Sequence, residues 1–251
     1  MATLEQVAAF RQANLAVTSK VEADLAKFWS HLDLASVDRS TNALLNYVPL
    51  LTQRYGEMAS TIAADWYEVM RAEAVDAGLL DSIKGAKTYR AIAADPVAQA
   101  LSRKAVKSVS GYLWTPTPER GLAALQSTTS RLVLQSGRDT ITVNAGRDRG
   151  ARGWGRMARS GACRFCRMIA SRQGGVYTER SARFAAHDHC DCVSYPVFDQ
   201  SAPKVDVAAQ FVASAKTSSM SAKELDRYHA QVRGYLAKMP ATPGAGEVFI
   251  G

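Results

Sequence analysis

Outside one short window, this chain of 251 residues contains no cysteine. Cys163, Cys166, Cys190 and Cys192 all fall within thirty residues, which excludes a disulfide framework spread through the fold. No run of about 18 apolar residues occurs, so no segment is expected to cross a membrane. Met1 to Glu5 lack a basic flank leading into an apolar stretch, so no secretory signal is expected. Clustered cysteines without such a signal favour metal over disulfides. Hydrolytic motifs are missing as well: there is no His-Glu-x-x-His, no Gly-x-Ser-x-Gly, and no His-x-Glu ahead of a Pro-Cys-x-x-Cys. A non-enzymatic role is therefore expected.

What is present is concentrated. From Arg147 to Arg183 there are ten arginines, two acids (Asp148 and Glu179) and no lysine. That surplus of eight equals the net charge of the whole chain, +8, so the remainder is neutral. Arginine presents a planar fork of donors that suits phosphates and carboxylates. Arg147, Arg149, Arg152, Arg156, Arg159, Arg164, Arg167 and Arg172 are the candidates for contact with nucleic acid or with an acidic protein surface. A solvated basic face is the plainer alternative.

The cysteines sit inside this basic segment. Cys163-x2-Cys166 is followed after twenty residues by His187-Asp-His189-Cys190-Asp-Cys192. Thiolates and imidazoles are good zinc ligands, and a Cys-x2-Cys knuckle facing a second close-set pair offers four of them in tetrahedral array. Cys163, Cys166, His187 and Cys190 are the first choice of ligands, with Cys192 the substitute. A closed four-ligand site of this kind is structural, and Zn2+ would supply folding energy to a segment that looks short of apolar core. A redox dithiol or buried free thiols are the alternatives.

The N-terminal part reads as helix. Val17, Val21, Leu25, Phe28 and Leu32 form one apolar stripe, and Leu44, Val48, Leu51, Tyr55, Met58, Ile62, Trp66 and Val69 form a longer one. Pro49 marks the start of the second helix or a kink in it, and Gly78 its end. Asp95-Pro96 opens a helix with Val97, Leu101 and Ala105 on one side. Thr115-Pro-Thr-Pro118 reads as a linker, with Thr117 capping a helix that carries Leu122, Leu125 and Leu132. Helix is expected over roughly 3–136. Short strands are expected around Trp154 and Met157 and at Val193, Tyr195 and Val197, and Ser221-x2-Glu224 is a capping box for a last helix. The expected fold is α+β and mainly helical: a helical region at 1–114, an Arg-rich zinc-knuckle-like module at 118–200, and a C-terminal helix with a loose tail at 204–251.

The order of these features resembles a known family. Cys-x2-Cys, a short helix, Gly175-Val-Tyr177, then His187-x2-Cys190-x-Cys192 and a proline-bearing strand is similar to the Mu F-like minor head proteins of tailed bacteriophages, over about Arg152 to Phe198. Gly161-Ala-Cys163-Arg-Phe-Cys166 and Ala186-His-Asp-His-Cys-Asp-Cys192 look like the form seen in phages of actinobacteria. Asp188 stands where that family often has proline and Asp191 where it often has arginine; His189 matches none of its ligands. The resemblance implies a structural protein, several copies per virion, docking at the portal vertex or inner capsid. It implies portal protein or major capsid protein as partners, contact with packaged DNA, no membrane, and location in the virion head after assembly in the host cytoplasm. Some relatives are described as capsid maturation proteases, which this sequence does not support.

Elemental analysis of freshly purified, reduced protein should find stoichiometric zinc. Cys163→Ser and Cys166→Ser should each lower stability and release it, whereas His189→Ala should do neither.

Overall fold

The computed structural model describes residues 4–81, 91–92, 96–158, 170, 176–178, 184, 186, 192–204, 220–237 and 249–250. Four helices dominate: α1 (Leu4–Trp29), α2 (Val37–Asp76), α3 (Pro96–Val109) and α4 (Pro118–Arg147). A 3-10 turn, Ser110–Trp114, joins the last two. Then come β1 (Gly153–Ala158), β2 (Val193–Val197), a helix α5 (Ala222–Ala237), and the two-residue strand β3 (Phe249–Ile250). β1 is the central strand, antiparallel to β2 and to β3.

The long apolar stripe of α2 is its buried face: Leu44, Val48, Leu51, Tyr55 and Trp66 lie in the interior. Met58 and Val69, placed on the same stripe from the sequence, are 39% and 51% exposed. Over 40 residues the 3.6-residue period drifts off a simple three-four pattern, and Ala59, Ala63, Tyr67 and Met70 take over the inward face. The helix ends as expected. Gly78 adopts φ +71°, its N–H bonds to the Val75 carbonyl, and the Leu79 N–H bonds to that of Ala74.

Pro49 neither starts nor ends this helix, which runs through it from Val37. A proline inside a helix has no N–H for the carbonyl four residues earlier, here that of Leu45. α3 supplies the missing donor: Arg103 Nη1 donates to the Leu45 carbonyl at 3.1 Å. α3 itself begins at Pro96 as expected, but its buried side is Ala98, Ser102, Val106 and Val109, continued by Leu113, while Leu101 is 40% exposed. The side expected from Val97, Leu101 and Ala105 is thus turned by about one position.

Residues 115–117 form a short bend between the 3-10 turn and α4. Leu113 before it and Leu125 and Val133 after it share one core with Val21, Leu25, Leu44 and Val48. Thr117 occupies the cap position of α4 without a side-chain cap bond. α4 then continues past the expected end near 136 to Arg147, taking Ile141 and Val143 into the helix. Gly137 is what permits this. A Cβ there would lie 3.0 Å from the Ala59 carbonyl, so the glycine and the small residues Ala59 and Ala63 let α4 cross close over α2.

A second apolar core continues from the first. Val7 and Phe10 of α1, Tyr67 and Met70 of α2, and Ile141 and Ala145 of α4 pack on Trp154, Met157, Val193 and Tyr195 of the sheet. Every residue of β1 and β2 is buried. The expectation that this segment lacks an apolar core is corrected here, because the strands borrow the far ends of the long helices as their missing half. Replacing Arg103 by Met should cost about 0.5–1 kcal/mol in denaturant unfolding, the scale of one hydrogen bond. The cost should shrink in a Pro49→Ala background, where residue 49 regains its N–H.

Candidate functional site

The turn from α4 into β1 is fixed by Asp148. Its Oδ2 accepts from Arg71 Nε at 3.0 Å and from the Tyr67 hydroxyl at 3.2 Å, while Oδ1 accepts from the Gly150 N–H at 2.9 Å. The pair is buried, with Asp148 and Arg71 side chains 2% and 10% exposed. Asp148 also terminates α4, its own N–H bonded to the Asn144 carbonyl. One carboxylate thereby orients the entry of the sheet on α2.

β1 then needs glycine twice. Gly153 has φ +154°, and a Cβ on it would lie 2.3 Å from the Tyr177 carbonyl oxygen. At Gly155 a Cβ would lie 2.3 Å from the Tyr195 ring. Between them Trp154 stacks on Tyr177 with centroids 4.7 Å apart, and the two residues exchange backbone hydrogen bonds. Trp154 is therefore a core plug and not a stacking platform for bases. Burial, and then neighbouring Tyr177, push the Tyr195 hydroxyl up to about 12. Its protonated form contributes stability that is complete below the ordinary value of 10 and is lost as pH rises toward 12.

The arginines separate into two populations. Arg147 and Arg149 are exposed at the end of α4, and Arg152 is half-buried, with Nε 3.4 Å from the Ala202 carbonyl. Arg156 is 2% exposed, and its guanidinium lies 3.7 Å from the Phe184 ring centre. Arg138 of α4, overlooked in the sequence because it lies outside the dense run, is 4% exposed and sits 5.1 Å from the same ring. Arg156 is thus an interior cation, and the expectation that it meets a polyanion at the surface is corrected. β1 alternates around glycines, and position 156 falls on a face that the helices cover. Arg159, Arg164, Arg167 and Arg172 lie outside the described residues.

Of the expected metal ligands, Cys192 is described. It is buried, it immediately precedes β2, and its carbonyl accepts from Arg138 Nε at 3.1 Å. Its thiol belongs to the apolar core shared by the sheet and helices. Cys163, Cys166, His187 and Cys190 lie outside the described residues, as does His189. Among the described residues no group of three or more His, Cys, Asp or Glu side chains could hold a metal ion. No helix among them is long and apolar enough to cross a membrane.

Two hollows flank the sheet. One, of about 220 Å³, lies between the end of α2 and β2 and is bordered by Met70, Glu73, Tyr195 and Pro196. The other is a smaller cleft between α1, α4 and the start of β2.

The architecture is that of a mainly helical protein with a small, arginine-bearing sheet seated on the ends of its long helices. A family model described as VG15 protein matches residues 1–230, covering the four helices, β1, β2 and most of α5. The chain belongs to this phage-associated family. The match is to VG15 and not to the Mu F-like minor head family that the cysteine motif resembles. No curated protein and no solved structure matches the chain.

Asp148→Ala leaves the Arg71 guanidinium buried without its counter-charge. It should cost about 3–5 kcal/mol in denaturant unfolding. The double change of Arg71→Met with Asp148→Leu should recover part of that loss, because two apolar groups need no partner.

Proposed function

We propose that this chain is a structural minor head protein of a tailed bacteriophage, docking at the portal vertex or inner capsid during head assembly. The observation that carries this is membership of a phage-associated family over residues 1–230, a span that takes in the helical body and the sheet together. The finer, Mu F-like form of the proposal is supported by the order of motifs from Arg152 to Phe198. Portal protein or major capsid protein are the proposed partners. The proposed location is the virion head or portal vertex, reached from the host cytoplasm.

The arrangement suits a scaffold part. Helices α2 and α4 give a stiff body, and the buried Asp148 latch holds the sheet on it. Arg147 and Arg149 stand exposed at the junction, where their forks are available to packaged DNA or to an acidic protein surface. Within the same proposal, Zn2+ held by Cys163, Cys166, His187 and Cys190 or Cys192 is a structural cross-link. Buried Cys192, at the mouth of β2, would tie that cross-link to the core. The chain's role in this proposal is not enzymatic.

Mass spectrometry of purified heads should detect the chain at a few copies per particle. Co-expression should yield a complex with portal or major capsid protein that survives size exclusion. Heads without the chain, together with no retained complex, would refute the proposal.

A further inference from the structure

Arg11 lies on α1 beside α4 and the start of β2. Its Nε and Nη2 atoms are buried and have no hydrogen-bond partner. These two donors share one edge of the guanidinium, the edge that grips a carboxylate through two parallel hydrogen bonds. Arg11 borders the smaller cleft together with Asn14 and Arg138, and Phe10, Leu134 and Val193 supply apolar wall. Arg138 stands at the same cleft, donating from Nε to the Cys192 carbonyl. Among the described residues no acidic side chain lines the cleft. A guanidinium edge taken out of water without an acceptor is costly, so an anion that completes it gains more than the same anion would at an exposed arginine.

The space limits the anion. The cleft is narrow and opens to one side, so it suits a small head group on a slim stem better than a bulky phosphate ester. The apolar wall suits an aliphatic stem. We propose that this cleft receives the carboxylate of an aspartate or glutamate side chain, presented by a protein segment that docks along α1 and α4. The proposal deepens the docking role by naming the chemistry of the partner. Its test needs no portal protein, so the two can fail separately.

Acetate serves as the side-chain probe. Thermal unfolding of the full chain is followed in chloride, acetate and phosphate at equal ionic strength. Acetate at several times its Kd should raise the Tm of the wild type by about 2–4 °C over chloride, and phosphate should not. Arg11→Leu should remove the response, and in chloride it should be no less stable than the wild type, having lost an unpaired cation. Arg11→Lys keeps the charge without the fork and should weaken acetate at least tenfold, which covers the case of a leucine variant that folds poorly. A wild type indifferent to acetate would overturn the proposal. So would a response to phosphate alone, or an acetate response that persists undiminished in both Arg11 variants. If the wild type becomes responsive only after Asp188→Asn or Asp191→Asn, the carboxylate is the chain's own and the docking segment is refuted.

Discussion

The buried ion pair between Arg71 and Asp148 is the constraint on which the rest of the molecule turns. Two charges removed from water are held there by their mutual contact, and the carboxylate also takes Tyr67 and the Gly150 N–H. The pair joins residues 77 apart in the chain and lies where the longest helices end and the sheet begins. It adds little to stability beyond what a packed apolar contact would give. What it adds is position. With Asp148 fixed, β1 leaves α4 at one angle, Gly153 and Gly155 bring its backbone close to Tyr177 and Tyr195, and Trp154 closes the core beneath.

Much of the helical body was legible from periodicity. The buried stripe of α2, its glycine stop, the proline start of α3 and the alternating Val193–Val197 strand all follow from residue type and spacing. So does the last helix, where Ser221 and Glu224 exchange the hydrogen bonds of a capping box. The misses share a cause, since each depends on a neighbour far away in sequence. Pro49 is tolerated because Arg103 lends a donor from another helix. α4 outlasts its glycine because Gly137 meets Ala59. Asp148 read as one of two acids in a basic run, and its partner lies on α2.

The arginine-rich segment shows the same limit most sharply. Counting charge gave one continuous basic run, but pleat and packing divide it. Arg156 turns inward onto Phe184 beside Arg138, while Arg147 and Arg149 remain outside. Two arginines from distant parts of the chain therefore share one aromatic ring in the interior, a juxtaposition no composition statistic carries. The apolar core of the sheet is completed by the helices. In the proposed scheme Zn2+ has the narrower task of cross-linking Cys163 and Cys166 to the His187–Cys192 stretch. The candidate ligand set rests on spacing alone, apart from Cys192, which sits where a loop would be anchored to that core.

These points converge on a single cooperative body, in which helices and sheet fold together and present charged groups at set positions. Native-state hydrogen exchange measures this most directly. The amides of Trp154, Tyr177, Val193, Ser194, Tyr195 and Val197 should exchange through the same global opening as those in the middle of α2 and α4, with equal free energies. Sheet amides that exchange far faster, while the helices stay protected, would show the sheet to be an independent appendage and contradict the account.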